Sequence, residues 1–216
     1  MRRKLLYLSL AANARYALNA RDYAKVAELI LFHHAQGLTK GVRSFADNLR
    51  AAGHIVHTPD LFEGRTFDDV NAGVRYAKEI GFDTVIARGR SAAETLPHEI
   101  VYAGFSLGVF PAQMLAQTRP GAKGALLFHS AFPVSEFGSE WPAGVPLQIH
   151  MMERDAWVIP PNEDLEFARE LVRTVAGAEL FLYPGDRHLF ADSSLSDYDE
   201  RAAALLEQRV RSFLAN

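Results

Sequence analysis

From residue 26 onward, short apolar runs alternate with stretches in which apolar residues recur every three or four positions. Residues 27–32 (AELILF) form a compact apolar run, too short for a helix, that ends at the polar cluster His33-His34-Ala35-Gln36-Gly37. Val42, Phe45 and Leu49 then mark one face of a helix stopped by Gly53, and 54–57 reads as a second strand ending at Thr58-Pro59-Asp60. Residues 67–80 predict a helix burying Phe67, Val70, Val74, Ala77 and Ile80, and 82–97 reads as a further helical piece. Later strands are predicted at 99–103 (EIVYA), 125–128 (ALLF), 145–150 (VPLQIH) and 179–183 (ELFLY). Leu165, Ala168, Leu171 and Val172 mark a helix between the last two. A final helix is expected to turn Ala202, Leu205, Val210 and Phe213 inward. This alternation predicts an α/β fold, a mostly parallel sheet with helices on both faces, whose functional residues gather at the carboxyl ends of the strands.

The organisation is read as an N-terminal extension of unclear role, 1–25, followed by one domain, 26–216, with no repeat, low-complexity tract or long linker. Met1-Arg2-Arg3-Lys4, followed by the apolar run 5–12 and Ala12-Asn13-Ala14, has the outline of a secretory signal with a cleavage site. The apolar run is short, so a helical or loosely ordered extension and a cytoplasmic location are the expectation. No stretch approaches the roughly 18–20 apolar residues that span a bilayer. A formal charge of −3 gives no reason to expect nucleic acid or an anionic membrane as partner. The absence of cysteine removes a disulfide framework, a thiolate nucleophile and a Cys-ligated zinc.

Gly104-Phe105-Ser106-Leu107-Gly108 matches G-x-S-x-G between a predicted strand and a predicted helix (VFPAQMLAQ). A sharp strand-to-helix turn presents the serine in a strained conformation, and the flanking glycines let strand and helix cross closely. Pro111 falls near the first helical turn, where a missing N–H costs little. A serine nucleophile needs a base, and the base an orienting acid, each in a loop after a later strand. His188 follows ELFLY through Pro184-Gly185-Asp186-Arg187, and Asp155 follows VPLQIH, with Glu153 and Asp164 as its competitors. The oxyanion of acyl transfer needs preorganised donors, expected from the backbone N–H of Leu107 and of Ala35.

Residues from about 27 to the end resemble the dienelactone hydrolase family. The resemblance is carried by ILFHHAQGLTKG, HTPDLFEGRTF, YAGFSLG, MERDAWV and YPGDRHLF, in that order. It implies an α/β hydrolase without a large lid, cleaving small carboxylic esters or lactones without metal or organic cofactor. By motif it places nucleophile, acid and base on Ser106, Asp155 and His188, and oxyanion donors on Leu107 and Ala35. Three positions depart from the dienelactone-cleaving pattern. Ser106 stands for the usual cysteine, His34 for a glutamate, and Asp192 lies where an arginine that binds substrate carboxylate would be expected. Arg75, Arg88 or Arg90 are alternative cations.

Of the eight histidines, His33, His34, His57, His129, His150 and His188 map to strand ends, which also suits a metal site. They show no H-x-H or H-E-x-x-H spacing. His34, Gln36, Phe105, His129 and Trp157 are therefore expected to line the substrate pocket, with Phe132 a further apolar wall and His57 and His150 in supporting positions. The rival readings are a thioesterase, acyltransferase or peptidase using the same triad, and a ligand-binding member of the fold without catalysis. The partner is a small-molecule substrate, and the protein a monomer or homodimer.

Overall fold

The computed structural model describes residues 26–216, so the expectations for the N-terminal segment lie outside the described residues. Six strands form one sheet: β1 (Glu28–Phe32), β2 (Ile55–His57), β3 (Val101–Phe105), β4 (Gly124–Phe128), β5 (Leu147–Met152) and β6 (Glu179–Tyr183). Their spatial order is β2-β1-β3-β4-β5-β6, and every neighbouring pair is parallel. Six α-helices accompany them among the described residues: α1 (Lys40–Ala51), α2 (Val70–Ile80), α3 (Phe82–Glu94), α4 (Val109–Thr118), α5 (Asp164–Thr174) and α6 (Glu200–Leu214). This is the α/β-hydrolase fold.

The period-two alternation of the strands divides the core. Ile30, Phe32, Tyr102 and Leu127 face one apolar cluster with the buried sides of α2, α3, α4 and α5. Leu29, Leu31, Ala103 and Phe128 face the other, closed by Val42, Phe45 and Leu49 of α1 and Ala203, Leu206 and Val210 of α6. Strands β1, β3, β4 and β5 are covered on both faces and so are apolar almost throughout. The edge strands β2 and β6 keep exposed positions.

Several boundaries shift for identifiable reasons. β3 runs on through Gly104 and Phe105, two residues past the expected end, so that Ser106 follows the strand directly. α2 starts at Val70, because Asp69 caps it by accepting the Ala72 N–H, and Phe67 precedes the helix in a paired loop segment. The last helix is rotated from its expected face: Ala203, Leu206, Val210 and Leu214 are buried, whereas Leu205 is 41% exposed. On α5, Leu165, Ala168 and Leu171 are buried as expected, but Val172 is 38% exposed.

The chain leaves β1 towards β2 on one side and returns at β3 on the other. Loops after β1 and β3 therefore diverge, opening a crevice at the carboxyl ends of these two strands. Ala35 lies after β1 and Ser106 after β3, on either side of that crevice.

Candidate active site

Ser106 opens a 3₁₀ turn (Ser106–Gly108) between β3 and α4, with φ 47°. A non-glycine residue in the left-handed region is strained, and here the flanking glycines allow the packing that imposes it. A Cβ on Gly104 would lie 2.1 Å from the Gly108 carbonyl oxygen. A Cβ on Gly108 would lie 2.5 Å from the Phe32 carbonyl oxygen and 2.7 Å from that of His33. Gly108 thus lets the serine turn press against the end of β1, where the Ala35 loop begins. Gly108→Ala is expected to destabilise the fold by about 3 kcal/mol or more, because backbone oxygens cannot rotate aside. Urea denaturation beside wild type checks this, and an unchanged midpoint would refute it.

Ser106 Oγ lies 2.8 Å from His188 Nε2, and His188 Nδ1 lies 2.7 Å from Asp155 Oδ2. The carboxylate can only accept, so Nδ1 carries the proton and Nε2 accepts the serine O–H. The other Asp155 oxygen accepts the Trp157 N–H at 2.8 Å. Asp155 and His188 are both buried, and the Trp157 ring stacks on His188 at 5.4 Å between centroids. The structure brings Ser106, His188 and Asp155 together. Glu153 instead pairs with Arg154, and Asp164 begins α5, where it accepts the Ser130 hydroxyl.

The Leu107 N–H stands at the start of the turn that feeds α4, and the Ala35 N–H has no acceptor among the described residues. Around it the loop is fully engaged. Gly37 N–H donates to His34 O, and Phe67 N–H donates to Gln36 O, while the Gln36 side chain returns a bond to Phe67 O.

An open cleft of about 650 Å³, walled in part by Gln36, Lys40, Arg43, Phe67, Trp157 and Ser194, meets this group through Trp157, which stacks on His188; Ser106 and His188 are not themselves in its lining. Of the five residues expected to line a substrate pocket, Gln36 and Trp157 lie along this cleft. His34, Phe105 and His129 do not; they are buried at 0–1% exposure. Phe132 packs instead with Phe110 and Phe137. Phe105 packs under Phe45 of α1, while His34 and His129 are covered by Asp192 and Phe190 of the loop after β6. Lys40 and Arg43, also on this cleft, carry no spacing signal, and Phe67 reads in the sequence as a buried helix position. Arg88 is occupied with Leu61 O and Glu63, and neither Arg75 nor Arg90 reaches the cleft.

The remaining histidines have specific partners or none. His33 Nδ1–H donates to His34 O, while its Nε2 accepts the Leu61 N–H. His150 bridges Tyr183 and Gln148, and His57 pairs with Glu28 at 2.8 Å. His129, at φ 66°, sits between Phe105, His188 and Phe190, with neither ring nitrogen partnered among the described residues. Burial drives its pKa far down and keeps it neutral. Among the described residues, no three His, Asp or Glu side chains are placed to hold a metal ion, and no helix is long and apolar enough to cross a membrane.

No curated protein matches this sequence. Solved structures match it as a fold. A structure assigned as a dienelactone hydrolase from Klebsiella pneumoniae is 20% identical, covering 91% of this chain and 90% of its own, with a TM-score of 0.68. A dienelactone hydrolase-like promiscuous phosphotriesterase from metagenomic libraries is 16% identical over 91% and 89%, with a TM-score of 0.64. The thioesterase domain of the curacin biosynthetic pathway is 15% identical over 87% and 92%, with a TM-score of 0.57. The family model of the dienelactone hydrolases matches residues 14–216, beginning ahead of the first described strand. The chain belongs to the dienelactone hydrolase family.

Proposed function

We propose that this protein is a serine hydrolase that cleaves small carboxylic esters or lactones through an acyl-enzyme on Ser106. The observation that carries this reading is the unbroken hydrogen-bonded line from Ser106 Oγ through His188 to Asp155, at 2.8 and 2.7 Å. In the first half-reaction Ser106 Oγ bonds to the carbonyl carbon while its proton passes to His188 Nε2. The carbonyl oxygen becomes an oxyanion, held by the Leu107 and Ala35 N–H groups. Collapse breaks the bond to the leaving oxygen, which takes the proton from Nε2; in a lactone that oxygen stays tethered to the acyl group. Water then repeats the sequence, and the free acid leaves. Asp155 fixes the imidazole tautomer and stabilises the imidazolium in both halves. The reading needs no cofactor. Domain limits of 26–216 and a cytoplasmic location belong to the same proposal.

The neighbouring folds include a thioesterase and a phosphotriesterase. A screen therefore includes thioesters and phosphotriesters beside esters and lactones. The decisive test is a fluorophosphonate probe read by intact mass on wild type and Ser106→Ala. One adduct on wild type that is absent from the variant is expected. No adduct on folded wild type would favour a ligand-binding protein that keeps the fold without the chemistry.

A further inference from the structure

A second histidine–carboxylate pair lies beside the first and is not used by it. His34 Nε2 stands 2.8 Å from Asp192 Oδ2, with both side chains almost wholly buried. Burying an anion is costly unless it is well hydrogen-bonded, and Asp192 is. It accepts the Thr39 hydroxyl on Oδ2, and the Ser194 N–H at 2.8 Å and Ser194 hydroxyl at 2.7 Å on Oδ1. Ser194 Oγ in turn accepts the Gly41 N–H. The carboxylate therefore sits against the first turn of α1, whose N-terminal end favours negative charge. A Cβ on Gly41 would fall 1.6 Å from Asp192 Oδ1, so the approach requires glycine there. Despite burial, these bonds hold the Asp192 carboxyl down, to about 2.

The other end of the imidazole shows what this construction reaches. His34 Nδ1 accepts the Gln36 N–H at 3.2 Å, so Nε2 carries the proton donated to Asp192. Ala35 lies between His34 and Gln36. Its carbonyl packs against α2 so closely that a Cβ on Gly73 would lie 1.8 Å away. The Ala35 N–H shares its peptide with the His34 carbonyl, which accepts the Gly37 N–H at 3.0 Å and the His33 Nδ1–H at 2.8 Å, so both peptides flanking Ala35 are held in place. Its own N–H is left without an acceptor among the described residues. Asp192 is also tied to the base-bearing loop, because its N–H donates to Leu189 O, next to His188.

We propose that His34 and Asp192 are positioning residues, a buried clamp joining the loop after β1 to the His188 loop so that the Ala35 N–H is held ready for the oxyanion formed at Ser106. This rests on the serine hydrolase reading above. Neither residue touches the reacting atoms; both act through the Ala35 amide. The clamp thereby gives a role to two of the three positions, His34 and Asp192, at which the sequence departs from the dienelactone-cleaving pattern.

The test compares His34→Gln with wild type on 4-nitrophenyl butyrate and on its thiono analogue, in which sulfur replaces the carbonyl oxygen. A glutamine amide can still donate to Asp192 but no longer places an acceptor at the Gln36 N–H. An oxyanion donor is worth about 10²–10³ in kcat, and sulfur accepts hydrogen bonds poorly. The expected result is a fall of about 10²-fold in kcat on the oxygen ester with KM within a few-fold. The thionoester should fall much less, so the oxygen-to-thiono rate ratio collapses by about tenfold or more. Asp192→Asn, with the melting temperature recorded for both variants, should move the ratio the same way and stands in if His34→Gln does not fold. An unchanged ratio in the folded variants, whether or not both rates fall, would overturn the clamp and leave the hydrolase intact. A wild type that neither turns over the esters nor takes a fluorophosphonate would remove both.

Discussion

Ser106→Ala is expected to lower kcat by a factor on the order of 10⁴ or more while the protein remains folded. That corresponds to roughly 5.5 kcal/mol or more of lost transition-state stabilisation. The size follows from what one oxygen does in the proposed mechanism: it forms the covalent intermediate, and its only side-chain partner among the described residues is His188 Nε2. Water in its place would have neither the fixed approach nor the acyl-enzyme step. The structural cost is small. Among the described residues Ser106 Oγ makes one hydrogen bond, and the φ of 47° is set by the packing of Gly104 and Gly108, which alanine leaves in place. Activity on an ester found in the screen, beside a thermal melt, checks both halves; full activity in the variant would remove Ser106 from its role. Asp155→Asn should approach the same loss for a different reason. An amide facing Nδ1 would donate rather than accept, moving the ring proton to Nε2, where it can no longer receive the serine proton. A silent Asp155 would return the role to Glu153 or Asp164.

The fold was legible because each strand is a short apolar run and each helix has a clear stripe, so that element type and order followed from period alone. Errors came where the period is ambiguous. Leu205 and Leu206 are adjacent and both apolar, and only the docking of α6 on the sheet decides that Leu206 goes inward. Val172 follows Leu171 in the same way. At β3 the error had another source: Gly104 reads as the start of a turn, yet it is inside the strand, because strand and turn pass too closely there for any side chain. Ser106, Asp155 and His188 could be singled out because each occupies the end of a strand and the order Ser–Asp–His is readable along the chain. The His34–Asp192 pair could not. Its members are 158 positions apart, obey no spacing rule, and meet only because the loops after β1 and β6 fold over the same edge. Burial was equally hidden. A histidine at a strand end reads as a pocket wall, and nothing in the sequence shows that His34 and His129 are covered.

That burial predicts a large and specific acid lability. Burial lowers the pKa of His33 from 6.5 to about 4 and of His150 from 6.5 to about 3. His34 and His129 shift the same way, also chiefly by burial. The hydrogen bonds agree with the direction. His33 Nε2 and His34 Nδ1 each accept a backbone N–H, so protonation would set two donors face to face. A histidine whose folded pKa is depressed contributes its full share of stability above the unfolded value. Below 6.5 the unfolded chain takes up protons that the folded chain refuses, and stability falls until the pH reaches the folded pKa. Each such group removes about 1.4 kcal/mol per pH unit, so His33 and His150 together remove about 4 kcal/mol between pH 7 and pH 5. Against the 5–15 kcal/mol typical of a domain this is a large fraction, equivalent to a fall of roughly 8–16 °C in melting temperature. Asp192 acts in a separate window. Its folded value of about 2 preserves stability down to about pH 4, and that share is lost only as the pH falls from there towards 2. Calorimetry from pH 7 to 5 should show the steep fall with wild type. His150→Phe should show a shallower one, by about one proton, even though the variant starts lower from losing the hydrogen bonds of His150 to the Tyr183 hydroxyl and Gln148 Oε1. A wild-type melting temperature that is flat over that range would overturn the neutral, buried state of His33 and His150.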